Sequence, residues 1–149
     1  SVGVNHADFN TDVIGVVRTF PIRVAGNSGS FGADAKEVSW KYVRRHARAK
    51  EPIVEYASVT KKVRRVATFS REGFRRACKV NRPTEIALTF ADYLDWSAHE
   101  EERISSRVET FIEILEEISG VPVTLVKTGP KTTIDFSHYR RSMLRKLAA

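Results

Sequence analysis

Three stretches of this sequence combine residue types and spacing that suit binding chemistry. The first is Arg23-Val24-Ala25-Gly26-Asn27-Ser28-Gly29. Glycines let a backbone approach a ligand closely and turn amide donors toward an anion. An ordinary turn uses the same residues, so this stretch alone leaves both readings open. The second runs from Glu55 to Arg65 and places Lys61, Lys62, Arg64 and Arg65 within five positions. In an extended chain Lys62 and Arg64 share one face, while Lys61, Val63 and Arg65 share the other. Two cations on one face can grip a phosphate or a dicarboxylate, and Arg adds planar two-point contact. The competing reading is a basic edge strand whose charge blocks aggregation. The third is a pair, Leu88-Thr89-Phe90-Ala91-Asp92 and Lys127-Thr128-Gly129-Pro130. A carboxylate at a strand end can accept hydrogen bonds from a guanine-like N–H edge, although Asp there is also a common cap.

The loops at Gly26, Asp92 and Gly129 each follow an apolar run that reads as a strand. Residues 13–17 are one such run, and residues 19–24 continue it around Pro21, where a missing donor predicts a bend or an edge. Residues 85–94 contain a short apolar strand ending at Asp92, and residues 121–126 supply another. Helical patterns lie between them. Residues 36–49 place Val38, Tyr42 and Val43 inward. Ser70 reads as the N-cap of a helix that turns Phe74, Ala77 and Cys78 to the core and stops at Asn81 and Pro83. Residues 101–119 put Ile104, Val108, Phe111, Ile112, Leu115 and Ile118 on one face, ended by Gly120 and Pro122. A basic helix, residues 137–147, closes the pattern. This alternation predicts an α/β fold with a mixed or mostly parallel sheet and packed helices. In such sheets ligands bind beyond the carboxyl ends of strands.

The 149 residues suit a single domain spanning 1–149, and no linker or repeat divides them. Charged residues make up 29% and apolar residues 42%, which fits a globular chain and not a disordered one. No apolar run approaches the roughly 20 residues of a membrane span. The first residues lack the basic-then-apolar pattern of a signal peptide. A single cysteine, Cys78, excludes an internal disulfide and fits a reducing cytoplasm. The net charge of +7 favours phosphate-bearing partners. His6, His46, His99 and His138 sit in no matching motif and read as surface histidines.

In this order, the pieces resemble adenylosuccinate synthetase, most of all its shorter archaeal and phage-like branch. Residues 16–24 look like the strand before that family's glycine-rich substrate loop. Val59-Thr60-Lys61-Lys62-Val63-Arg64-Arg65 is similar to its aspartate loop, Thr-Thr-Gly-Arg-x-Arg-Arg. Residues 83–94 look like its guanine-recognition strand, and residues 122–130 like its closing strand and Thr-Gly-Pro nucleotide loop. The resemblance implies the C-terminal portion of that P-loop NTPase-related fold.

It also implies site residues. Val24, Ala25 and Gly26 would line an IMP site. Ser58, Val59, Thr60, Lys61, Lys62, Val63 and Arg64 would form the aspartate loop, with Arg64 reaching the triphosphate. Asp92 would read its base, and Lys127, Thr128 and Gly129 would close over it. The implied reaction joins IMP and L-aspartate using GTP, or ATP, with Mg²⁺ held mainly by an N-terminal part that supplies the phosphate loop. No catalytic residue or metal ligand is assigned to this chain, which is expected to be inactive alone. A homodimer and a separate N-terminal half are the implied protein partners. Phe90 stands where the family has lysine; it can stack on a base but not hydrogen-bond to it. That keeps open a related ligase that joins aspartate to dGMP using ATP. A non-catalytic basic domain that binds nucleic acid is the third reading.

Overall fold

A computed structural model describes residues 12–147, with side chains to Arg145. The chain order is β1 (Ile14–Arg18), β2 (Ile22–Arg23), β3 (Glu37–Val38), α1 (Trp40–Ala47), β4 (Arg65–Ala67), α2 (Arg71–Asn81), β5 (Glu85–Thr89), α3 (Ser106–Ser119), β6 (Val123–Lys127), β7 (Thr133–Asp135) and α4 (Phe136–Leu147). Short 3-10 turns at Ala91–Tyr93 and Trp96–Ala98 follow β5.

Two sheets share these strands. The larger has the order β1-β5-β6-β7 and the smaller β2-β4-β3. β1 pairs with β5 in parallel, and β5 with β6 likewise. β7 turns back antiparallel on β6, so the sheet is mixed but mostly parallel. Pro21 lies where the chain leaves the first sheet for the second. It donates nothing, but its carbonyl accepts from the amide of Ala67, and β2 forms an edge, as the proline requires.

The core gathers the apolar faces of these elements. Ile86 and Leu88 of β5, Val123 and Val126 of β6, and Val108, Ile112 and Leu115 of α3 are essentially solvent-free. Alternate residues of β5 are buried, the period a strand imposes. Ser70 caps α2 as expected, its hydroxyl accepting from the amide of Gly73. Gly120 ends α3 in the left-handed region, where glycine has no steric penalty.

Several boundaries differ from the pattern reading. Residues 37–38 form a strand, and helix α1 starts only at Trp40, because Ser39 caps it through the amide of Tyr42. Its inward residues are Trp40, Val43 and Ala47, whereas Tyr42 lies on the outer side. α3 begins at Ser106 and not at 101, since residues 96–105 are spent on a turn at the site described below. Ala77 is exposed, and Phe74 alone of α2 is fully buried.

Candidate functional site

The parallel strands β1, β5 and β6 all end at one sheet edge, and the last residues of each are tied together. Thr19 is buried; its amide donates to the carbonyl of Thr89 and its hydroxyl to that of Phe90, at 2.7 Å. Thr89 returns a hydroxyl bond to the carbonyl of Val17 at 2.9 Å. Strand β5 therefore ends at Thr89, and not at Asp92 as the apolar run suggested. Phe90 breaks it by entering the left-handed region, φ 57°. A non-glycine residue there is strained and needs support. The Arg18 guanidinium, 3.8 Å above the Phe90 ring, and the Thr19 bond provide it. The turn that follows carries Asp92 inward.

Asp92 is 3% exposed. Its Oδ2 lies 2.7 Å from Nδ1 of His99, and its Oδ1 has no hydrogen-bond partner. Burial pushes its carboxyl above the usual range, and the His99 contact opposes that rise. Trp96 stacks flat on His99, with centroids 4.0 Å apart and planes 9° from parallel. Phe90, Asp92, Tyr93, Trp96, His99, Lys127, Gly129 and Pro130 enclose a cavity of about 290 Å³. An unpaired buried acceptor is unfavourable unless a donor reaches it. Three aromatic walls and one acid suit a flat ring that carries N–H groups.

The other wall is the loop after β6. Lys127 Nζ donates to the Pro130 carbonyl at 2.9 Å. The buried Thr128 hydroxyl donates to the carbonyl of Glu101 at 2.9 Å. Glu100 accepts from the Thr132 hydroxyl and the Lys131 amide, which lowers the pKa of its carboxyl. Gly129 packs against the Glu100 side chain, and a Cβ there, 2.6 Å from Glu100 Cδ, would push that carboxylate aside.

The remaining sequence-predicted residues lie on the smaller sheet. β2 pairs with β4 so that Arg23 faces Arg65. Arg65 is not a free cation. Its guanidinium donates to the carbonyls of Gly26 and Gly29, the Ser28 hydroxyl, and both oxygens of Glu37. Gly26, at φ 84°, makes the turn that this clamp closes. Residues 58–61 are the tip of a hairpin. Its ends are joined by the Tyr56–Val63 bridge and by the Ala57 amide donating to Lys62 O. The expected alternation of faces fails here because Lys61 is left-handed, φ 56°. Lys61 and Lys62 are exposed and pair with no carboxylate among the described residues. Arg64 is half-buried, with Nε 3.4 Å from the Tyr56 carbonyl.

Two contacts join hairpin and cavity. The Trp40 indole N–H donates to the Arg64 carbonyl at 2.7 Å, and its ring meets Tyr93 edge-on. Glu55 is paired with Arg18 and accepts from the Tyr93 hydroxyl at 3.2 Å. Burial, reinforced by the Glu55 charge, pushes the Tyr93 phenol far up, so it stays a donor.

Of the residues named from the sequence, Asp92, Lys127 and Gly129 line this cavity, and Thr128 is buried beside it. Sequence reasoning missed Arg18, Glu55, Tyr93, Trp96 and His99. His99 is the correction among the histidines: it belongs to the cavity. His46 is half-buried against Phe20, Tyr42 and Arg107, and burial lowers its pKa. His138 is exposed, and His6 lies outside the described residues. Cys78 is half-buried, and burial raises its thiol, which fits a packing role. A larger groove, about 520 Å³, runs between β1 and α2 and is lined mainly by apolar residues such as Val16, Phe69 and Phe74.

Fold and site together define an α/β protein whose parallel strands deliver an acid, aromatic walls and a lysine loop to one carboxyl edge. Comparison with known proteins narrows this. Over 129 residues the chain is 39% identical to adenylosuccinate synthetase of Methanocaldococcus jannaschii, covering 83% of this chain and 34% of that protein. It is 36% identical over 123 residues to the enzyme of Archaeoglobus fulgidus, covering 80% and 34%. Among solved structures it resembles succinoaminodeoxyadenylate synthetase of cyanophage S-2L, bound to dGMP and to dATP as an energy donor. That match has a TM-score of 0.62 at 30% identity and covers 80% of this chain and 31% of that one. The fold also matches fully ligated adenylosuccinate synthetase from Plasmodium falciparum, with a TM-score of 0.64 at 18% identity over 90% of this chain and 42% of that one. No family model matches the chain. The chain belongs to the adenylosuccinate synthetase family, and it spans about a third of the length of the curated relatives it matches.

Proposed function

We propose that this chain carries the nucleotide- and aspartate-binding part of an adenylosuccinate synthetase-like ligase. A purine triphosphate places its base in the cavity at Asp92, under residues 127–130. Residues 24–26 and the hairpin tip, with Lys62 and Arg64, hold the second nucleotide and aspartate. The observation that carries this reading is that Asp92, whose Oδ1 is buried and unpaired, lines an aromatic cavity at the carboxyl edge of parallel strands. In the complete ligase IMP and L-aspartate are joined at the expense of GTP. Cations and loop amides at Lys62 and Arg64 would stabilise charge during phosphoryl transfer. The phosphate loop and the catalytic acid and base are supplied by polypeptide outside this chain.

The outer edge of β1 supports that division. No strand pairs with it among the described residues, and Val16 is 71% exposed on an otherwise apolar strand. Parallel sheets are normally covered, so this edge suits continuation of the sheet by further polypeptide. Among the described residues no three His, Cys, Asp or Glu side chains converge to hold a metal.

A second reading, aspartate ligation to dGMP with an adenine triphosphate, is favoured by Phe90 and by the likeness to the cyanophage enzyme. Calorimetric titration of the 149-residue chain with GTP, ATP, IMP and dGMP tests both readings. Binding of GTP and IMP supports the first, and binding of ATP and dGMP the second. Failure to bind any of the four refutes the assignment. Adenylosuccinate formation by the chain alone refutes the claim that it lacks the catalytic groups.

A further inference from the structure

The contact between Asp92 and His99 decides what the acid can offer a ligand. An ionised carboxylate is only an acceptor, so Nδ1 of His99 must carry the shared proton while Asp92 is charged. That bond, at 2.7 Å, occupies Oδ2 and fixes the rotation of the carboxylate. The stack on Trp96 holds the imidazole plane, and the Asp95 carboxylate caps the short turn carrying both rings by accepting from the Ser97 amide at 3.1 Å. Oδ1 is left buried and without a partner, and Asp92 lines a cavity whose other walls are largely aromatic. Lys127, the one lysine or arginine lining it among the described residues, spends its ammonium on the Pro130 carbonyl. One fixed acceptor among apolar walls recognises a donor at one point on the edge of a flat ring.

We propose that His99 is a positioning residue that holds Asp92 so that Oδ1 receives the exocyclic amino group of a purine base. The pocket then selects amino-bearing bases, adenine or guanine, over hypoxanthine, which has none. This rests on the placement of the base at Asp92, and it adds that discrimination depends on the histidine donor.

The test compares the affinities of ATP, GTP and ITP for the 149-residue protein and three variants. Wild type is expected to prefer ATP or GTP over ITP by about tenfold or more, as loss of one hydrogen bond to a charged group predicts. His99→Phe keeps the stack on Trp96 and deletes the donor; it should reduce that ratio to within about threefold while ITP affinity holds. His99→Asn keeps a donor near the Nδ1 position and loses the ring; it should retain most of the ratio. A merely structural histidine would shift all three ligands alike. Retention of the ratio in His99→Phe, or its loss in His99→Asn, overturns the role of His99. Asp92→Asn separates this from the underlying placement. If it leaves the ratio unchanged, or if no nucleotide binds wild type, the base is not at Asp92 and both claims fall. If it abolishes the ratio while His99→Phe does not, only the histidine's role fails.

Discussion

Trp40→Phe tests the link between hairpin and cavity. The indole N–H donates to the carbonyl of Arg64 at 2.7 Å, and Trp40 is 9% exposed. Phenylalanine preserves a ring that can meet Tyr93 edge-on but has no donor. The Arg64 amide stays bonded to Glu55 O at 2.8 Å, so the carbonyl alone is orphaned. An unpaired, partly buried carbonyl costs about 1–3 kcal/mol. The ring atoms lost from the core add roughly 1 kcal/mol. The expected total is about 2–4 kcal/mol. For a chain of this size that lowers the thermal midpoint by roughly 5–15 °C. Urea and thermal unfolding followed by far-UV circular dichroism measure it without relying on the deleted fluorophore. Tyr93→Phe is the companion variant: it removes only the hydroxyl at Glu55 and leaves the ring contact. A change within about 0.5 kcal/mol for Trp40→Phe would refute the reasoning, because surface substitutions without a structural role fall in that range.

Ile112→Ala removes a solvent-free side chain of α3 and should cost about 2–5 kcal/mol in urea unfolding. Ser70→Ala removes the α2 cap and should cost about 1 kcal/mol by the same assay. Asp92→Asn has a pH signature. Burial raises the folded-state pKa of Asp92 above its ordinary 3.8, so ionisation is disfavoured in the folded state. Wild type should therefore lose stability, relative to the variant, as pH rises from the ordinary aspartate range through the raised folded value, and the gap should then stay constant. Unfolding free energies of both proteins across that window check the sign; a gap that moves the other way would mean the folded protein favours the carboxylate.

The alternation of residues 85–89 and the helical spacing of Val108, Ile112 and Leu115 made the sheet and α3 legible, since burial imposes those periods directly. The acid and the lysine loop were legible too, because each follows an apolar run. What the sequence concealed was set by tertiary contacts. Phe90 is apolar and continues the strand pattern, yet the Arg18 stack and the Thr19 bond hold it in a left-handed turn. β7 has three residues, too few for a periodic signal, and depends on pairing with β6. Arg65 read as one cation in a run, but carbonyls from residues 26 and 29 consume it. His99 carried no motif, since its partner Asp92 is brought to it by two successive 3-10 turns.

The claim on which the rest depends is that a purine nucleotide enters the cavity at Asp92. Amide and indole NMR shifts during titration of the labelled chain with GTP and with ATP test it residue by residue. The account predicts that the largest changes fall on the amides of Asp92 and Tyr93, the Trp96 indole and the amides of residues 127–129, and that they saturate with the calorimetric affinity. Changes confined to the β1–α2 groove, or none at either nucleotide, would contradict it.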